Sequence, residues 1–514
     1  MPVTTTVELP HFHPFMNVDM PWLMSRSAAA HADRTLLIWE PFDGAARRWT
    51  YAQAYSDVRR IAAGLHQRGV RSGDAVILHL ENAPESILAW LSCAEIGAVA
   101  VSTNARSSGE ELAYFAKKSA AVGLITQPKF AEMVREHLPN IGWVAVAAPA
   151  DGSLFGDGEI GRSSFGPAHP FAVQFTSGTT SRPKAVLWTH ANGLWGSMVN
   201  ARHLQLRPDD VALITNPLFH TVGLAWQFLA SVWVGAAVVL QPKFSASRFW
   251  PVVVSNGCTW ATIGGFVANA LGDQPVPPDH RLRFSFGGVS LTAPPRYFGI
   301  KSFGAHGMTE LITQPVFNDP LSVFDEGSMG RPAPEYEVRV ALETGRLAGP
   351  GETGELQVKG VRGLSIFAEY LGDPDATAAA FTPDGYFHTG DLVTVRADGA
   401  LLFSDRLKDM LKVGGENVAA SEIEAVIRDV PGVQEVAVVA GPHRMLSEVP
   451  VAFVIPRLDA GADLSSRIET VCAQRLADFK RPREVRVVDD LPRALETKVA
   501  KAELRRQLRE EAKG

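Results

Sequence analysis

Apolar runs of strand length alternate with segments of helical spacing through the first three hundred residues of this chain, and that alternation limits the folds open to it. Residues 51–68 carry apolar positions at helical spacing and end near Gly69; residues 74–80 (DAVILHL) read as a strand. Residues 83–96 read as a helix stopped by Gly97, and residues 98–102 as the next strand. Strand candidates continue at 171–175, 211–214, 236–240 and 283–286. Short strands that are apolar throughout, with helices between them, predict α/β layers built on parallel sheet, because both faces of such a sheet are covered. Residues 147–169, rich in Gly, Ser, Pro and Asp, read as a loop.

The pattern changes after about Val323. Gly and Pro become frequent and short alternating runs appear at 355–359 and 401–403, which predicts a β-rich subdomain. From about Arg406 onward a compact mix of helices and strands follows, and residues 498–513 read as a charged amphipathic helix with a solvated face. A chain of 514 residues exceeds what one hydrophobic core serves. The expected organisation is a large N-terminal α/β domain over 1–405, including the β-rich part, and a small α+β domain over 406–514.

Composition narrows the function. A net charge of -6 and the lack of a long Lys/Arg block argue against nucleic acid as a partner. Cys93, Cys258 and Cys472 are the only cysteines and lie far apart, which fits neither a disulfide framework nor a cysteine zinc site and suits a reducing compartment. The N-terminus has no basic segment followed by an apolar one, so a cytoplasmic protein is expected. Residues 222–240 are apolar enough to raise the question of a bilayer span, but Gly235 divides them into a helix-length piece and a short strand-like piece. Helix, turn and strand within a core is the simpler reading.

The strongest local signal is Thr176-Ser177-Gly178-Thr179-Thr180-Ser181-Arg182-Pro183-Lys184, which follows the apolar run 171–175. Hydroxyls, a glycine backbone and two cations at the end of a strand suit a polyphosphate: backbone N–H groups approach its oxygens and the cations offset its charge. The pattern is not GxxxxGK[ST], and on chemistry alone a polar surface turn is also open.

This segment resembles the phosphate loop of the adenylate-forming superfamily, which includes acyl-CoA synthetases, amino-acid adenylation domains and beetle luciferases. The family form is TSGTTGxPKG; here Ser181 and Ala185 replace two glycines. Further motifs resemble the family's in order and spacing across nearly the whole chain. His306-Gly307-Met308-Thr309-Glu310 is similar to YGxTE, and implies that Thr309 meets the α-phosphate, Glu310 binds Mg2+ and His306 takes the place of a tyrosine stacked on adenine. Gly287-Gly288-Val289 matches a glycine turn beside adenine and the acyl group. His388-Thr389-Gly390-Asp391 resembles TGD, implying that Asp391 holds the ribose hydroxyls. Residues 405–417 resemble GRxKDxIKxxG, with Asp405 in place of glycine: Arg406 is then implied to reach ribose and phosphate, Lys408 to be the hinge, and Gly414 and Gly415 to line the pantetheine tunnel. Leu491-Pro492-Arg493 with Thr497-Lys498 resembles LPKTxxGK, which makes Lys498 the catalytic lysine, although Thr497 stands where the motif has glycine.

The resemblance implies an acid:CoA ligase that uses ATP, Mg2+ and coenzyme A. A carboxylate attacks the α-phosphorus, and Thr176, Ser177, Gly178, Thr179, Thr180, Lys184, Thr309, Glu310 and Lys498 bind or stabilise the charge. The C-terminal domain then swings about Lys408 and a thiol takes the acyl group. Segments 216–228, 262–271 and 286–295 should border the acid, with His220, Gly264 and Gly288 in contact with it. They hold no Lys, Arg, Asp or Glu, so a second carboxylate would be left unpaired and an apolar monocarboxylic acid is expected. The glycines leave room for a bulky group or serve backbone turns; His220 is a gate beside the carboxylate or a packed ring. The partners expected are the small acid and, at most, a second copy of the chain in a homodimer. A carrier protein enters only if the chain is instead an acyl-AMP ligase, and a non-catalytic adenylate-binding protein is the remaining alternative.

Overall fold

In the computed structural model, the described residues are 2–148, 151–176, 183–272, 274–287, 296–321, 328–406, 409–413, 416–443, 447–476, 478–495 and 498–512. They divide into two compact units, one of residues 1–338 with 358–387 and one of residues 339–357 with 388–514.

The first unit carries two large sheets. The seven-stranded sheet runs in the order Glu369–Tyr370, Lys184–Thr189, Pro170–Thr176, Val99–Ser102, Ala75–His79, Gly123–Thr126, Val144–Val146. The last five are parallel, and the first two are antiparallel to their neighbours. The strand Val99–Ser102 is buried along its whole length, as expected for a central strand covered on both faces. Capping boxes start the helices around these strands: Thr50 with Gln53 opens Tyr51–Gln67, and Ser108 with Glu111 opens Gly109–Ser119.

In the eight-stranded sheet, Ile300–Phe303, Phe284–Phe286, Trp260–Thr262, Val211–Ile214, Ala237–Leu240 and Thr35–Trp39 lie side by side and parallel, with antiparallel strands Arg296–Tyr297 and Arg47–Thr50 at the edges. Four neighbouring strands therefore send their C-terminal loops to one edge: 215–221 after Val211–Ile214, 263–264 after Trp260–Thr262, 287 after Phe284–Phe286 and 304 onward after Ile300–Phe303. Carboxyl ends of parallel strands are where open α/β sheets bind ligands.

The apolar run 222–240 is a wide π-helix, Val222–Leu229, continued by Ala230–Val234, then Gly235 at φ +76° and the strand Ala237–Leu240. The left-handed φ at Gly235, and the His31 ring a methyl there would strike, account for the glycine at the turn. Among the described residues no helix is long and apolar enough to cross a membrane.

The second unit has a four-stranded sheet in the order Glu337–Ala341, Thr353–Lys359, Phe387–Val395, Leu401–Arg406, whose last two strands pair antiparallel. A second sheet joins Glu416–Ala419, Met410–Val413, Ser447–Pro456, Val433–His443 and Glu484–Val487. Helices Ala420–Arg428 and Leu464–Arg475 supply Ile423, Ile427 and Ile468 to its core against Val438, Ala452 and Val454. The last helix differs from the sequence-based expectation. It begins at Lys501, not 498, because Lys498–Val499 pairs as a strand with Arg493–Leu495. Nor is it simply a solvated face: Leu504 and Leu508, four residues apart on one face, are buried against Val439 and Phe453. Its Lys501 meets the buried Glu424 at 2.7 Å, and its Arg505 meets Asp409 at 2.7 Å.

Candidate active site

The strands that flank residues 177–182 form an antiparallel pair. Pro170–Thr176 pairs antiparallel with Lys184–Thr189, and Thr176 faces Lys184 across the ladder. Ser177, Gly178, Thr179 and Thr180 lie outside the described residues. The hairpin delivers Thr176 and Lys184 at the carboxyl end of the seven-stranded sheet.

A single hydroxyl ties this hairpin to two other candidate segments. Thr221 Oγ1, buried at the start of the π-helix, lies 2.9 Å from Gln174 Oε1 on the hairpin and 3.4 Å from Thr309 Oγ1. Its proton goes to Gln174, and its oxygen faces the Thr309 hydroxyl. The loop expected to border the acid, the phosphate hairpin and the Thr309–Glu310 segment therefore converge within hydrogen-bond distance. π-Helical turns often occur where an element carries function.

Thr309 and Glu310 sit in a tight turn closed by the Leu311 and Ile312 N–H groups donating to the Met308 carbonyl. Trp188 Nε1 donates to the Thr309 carbonyl and Trp226 Nε1 to the Ile312 carbonyl, at 3.0 and 2.9 Å. Gly307 has to be glycine here: a methyl would meet the Trp226 ring and, at 2.6 Å, the Thr313 carbonyl. His306 is fully buried in the short strand Ala305–His306, opposite Val316. Glu310 is also buried, and Tyr370 Oη donates to its Oε1 at 3.0 Å. Burial, and then the adjacent Glu310 charge, push the Tyr370 phenol above its ordinary value, so it stays a donor. The face of the same ring lies 4.4 Å from Lys184 Nζ.

On the acid side, Asn82 holds the loop before His220 with its whole amide. Its Nδ2 donates to the carbonyls of Asn216 and Gln241 at 2.9 and 3.1 Å, and its Oδ1 accepts from Leu218 N–H at 2.8 Å. His220 is half-buried, its ring tilted against that of Phe219 at 4.4 Å between centroids. The two glycines of this region separate. Among the described residues a methyl on Gly264 would meet nothing within 4 Å, whereas one on Gly287 would press on the Ile263 carbonyl at 3.3 Å. Among the described residues nothing crowds Gly264, whereas Gly287 is a close backbone approach. Gly288 and Val289 lie outside the described residues.

In the second unit, Asp391 is buried, and its N–H donates to Thr389 Oγ1, which in turn donates to the Leu356 carbonyl at 2.6 Å. Glu355 accepts from Gly390 N–H at 3.1 Å and lies 2.8 Å from His388 Nδ1. Arg406 occupies the register position opposite Asp391 on the neighbouring strand, so two positions with an implied role at ribose are backbone neighbours. Lys498 is in the two-residue strand Lys498–Val499. Lys408, Gly414 and Gly415 lie outside the described residues. Sequence reasoning missed Gln174, Thr221, Tyr370, Asn82 and Trp188. For Thr221 there was a signal, a hydroxyl directly after His220 in a charge-free segment; the others show none locally.

The chain resembles known proteins over nearly its whole length. The AMP-binding enzyme model matches residues 24–371, and the model of the AMP-binding enzyme C-terminal domain matches residues 422–501. Crotonobetaine/carnitine–CoA ligase of Salmonella paratyphi A is 34% identical over 503 residues, covering 93% of this chain and 97% of that one. ATP-bound MatB from Rhodopseudomonas palustris superposes with a TM-score of 0.86 at 26% identity, covering 95% of this chain and 99% of that one. The o-succinylbenzoate CoA synthetase of Bacillus subtilis, solved with its acyl-adenylate intermediate, gives 0.83 at 28%, covering 94% and 97%. The chain belongs to the AMP-binding enzymes, as an acyl-CoA synthetase of the adenylate-forming superfamily. It is an AMP-forming acid–thiol ligase, which uses ATP to join a carboxylic acid to coenzyme A.

Proposed function

We propose that this ligase activates an apolar monocarboxylic acid, and that the residues converging on Thr221 form its adenylation centre. The convergence carries the reading: Thr221 on the acid loop, Gln174 on the phosphate hairpin and Thr309 beside Glu310 share one hydrogen-bonded point. A carboxylate bound along 216–220 would then lie next to the α-phosphate it must attack.

The difficulty of that step is negative charge meeting negative charge. Lys184, Thr176 and the hydroxyls and N–H groups of 177–180 would take the β- and γ-phosphates, Thr309 the α-phosphate, and Lys498 the charge that develops on attack. Glu310 suits Mg2+: it is a buried carboxylate with one oxygen oriented by Tyr370, and this ion needs only one or two protein carboxylates when phosphates complete its shell. Held there, Mg2+ would offset the negative charge of the phosphates. Asp391 and Arg406 would hold the ribose, and Gly287, Gly288, Val289, His306, Gly307 and Met308 would border the adenosine. For the thioester step, the reading assigns Lys408 as hinge between residues 1–405 and 406–514, with Gly414 and Gly415 along the pantetheine path. A cytoplasmic location completes it.

Three segments without a charged side chain support the apolar acid, and the space at Gly264 among the described residues supports a bulky one. A test incubates the protein with ATP, Mg2+ and coenzyme A and a panel of acids: fatty, aryl, cinnamic-type, terpenoid and steroid acids, and also crotonobetaine and carnitine. Mass spectrometry should find acyl-CoA and AMP from one apolar class. Turnover of the betaines alone would overturn the apolar reading, since they carry a fixed cation. Acyl-AMP that accumulates despite coenzyme A would point instead to a carrier protein as acceptor.

A further inference from the structure

We propose that Tyr370 is a positioning residue of adenylation, fixing the Glu310 carboxylate through its hydroxyl and holding the Lys184 ammonium on its ring face. The proposal rests on the reading of Glu310 and Lys184 given above and adds a residue outside every motif used for it.

Three observations carry it. Tyr370 Oη lies 3.0 Å from Glu310 Oε1, with both side chains buried. A bond from a neutral donor to a carboxylate in a dry setting is directional, so it selects which oxygen and which lone pairs of Glu310 remain for a cation. The ring face lies 4.4 Å from Lys184 Nζ, within cation–π range, and places the ammonium at the hairpin end where the phosphates are to bind. One side chain thus touches both the carboxylate and the ammonium, which are otherwise 126 residues apart in sequence and of opposite charge. The ring engages each of them through a different part, the hydroxyl for one and the face for the other. Without it, the ammonium and the carboxylate would be free to form an ion pair that occupies both groups needed for MgATP.

The position of Tyr370 is itself strongly determined. The strand Glu369–Tyr370 is the edge of the seven-stranded sheet, in register with Leu187 and Val186 on the strand that Lys184 begins. Tyr370 N–H donates to Thr377 Oγ1 at 3.0 Å, and Thr377 Oγ1 donates to the Asp373 carbonyl at 2.8 Å, closing the turn after the strand. Phe367 packs against the ring at 4.8 Å between centroids, and its N–H donates to the Glu310 carbonyl at 2.7 Å. The same segment therefore holds Glu310 by backbone and by side chain.

Two variants separate the two contacts. Tyr370→Phe removes the hydroxyl and keeps the ring; Tyr370→Leu removes both. ATP binding is measured by calorimetry on the full chain, at saturating Mg2+ and again in EDTA, with thermal unfolding recorded for each variant. A hydrogen bond to a charged group is worth roughly a tenfold to hundredfold change in binding. Tyr370→Phe is therefore expected to weaken MgATP by about tenfold while leaving metal-free ATP within about twofold. Tyr370→Leu should weaken both. If Tyr370→Phe lowers both affinities equally, or neither, at an unchanged unfolding temperature, the positioning role is wrong. If wild-type protein binds ATP equally with and without Mg2+, the assignment of Glu310 falls, and this proposal with it. The mass-spectrometric panel is independent of both outcomes.

Discussion

Glu95 closes the helix Pro84–Glu95 with 1% of its surface exposed, and among the described residues neither carboxylate oxygen has a hydrogen-bond partner. Burial raises its pKa from 4.5 to about 8; Arg162 and Arg59 oppose the shift and Asp19 adds to it. The sign of the consequence follows from linkage. An unfolded chain releases this proton near pH 4.5, whereas the folded chain keeps it until about pH 8, so the folded state binds more protons between those values and stability falls as pH rises through that window. At pH 7 the unfolded carboxyl is about 2.5 units past its midpoint, and at about 1.4 kcal/mol per unit the penalty is about 3 kcal/mol. Glu95→Gln keeps the shape of the protonated acid and removes the titration. Urea unfolding at pH 5, 6, 7 and 8, followed by tryptophan fluorescence, reads the difference. The variant should gain on the wild type steadily, reaching about 3 kcal/mol by pH 7. Parallel pH dependences for the two proteins would refute the argument, because they would mean that Glu95 is already ionised, and solvated, in the folded state.

Other outcomes follow from the site. Lys498→Ala should slow adenylation by about two orders of magnitude, the usual effect of losing one well-placed charge donor, while sparing thioester formation from supplied acyl-AMP; equal loss in both half-reactions would contradict the division of labour. Asn82→Ala releases the loop before His220 from two hydrogen bonds, so the KM for the acid should rise about tenfold with the KM for ATP unchanged. Steady-state kinetics with each substrate varied checks this. Gly307→Ala drives a methyl into Trp226 and the Thr313 carbonyl, and should destabilise the protein by about 1–3 kcal/mol, visible as a lower urea midpoint.

Local periodicity carried most of the fold. Strands of a parallel sheet are covered on both faces, so segments such as 74–80 and 98–102 show as short, wholly apolar runs, and the intervening helices show as amphipathic segments with caps. The division of 222–240 at Gly235 was legible for the same reason, since only glycine takes that turn without strain. Motif residues such as Thr176, Lys184, Thr309, Glu310 and Asp391 could be singled out because each lies in a short contiguous pattern. The start of the last helix was misplaced because a two-residue strand at Lys498–Val499 has no period to detect. Contacts between segments far apart in the chain were beyond reach. Thr221 meets Gln174 and Thr309 because segments distant in sequence and belonging to different sheets come together, and Tyr370 meets Lys184 and Glu310 because a two-residue strand adds to the sheet edge beside Lys184–Thr189. The amino-acid order thus determined which elements form and which side chains carry chemistry; sheet order and burial, which depend on the whole chain at once, decided which of those side chains touch.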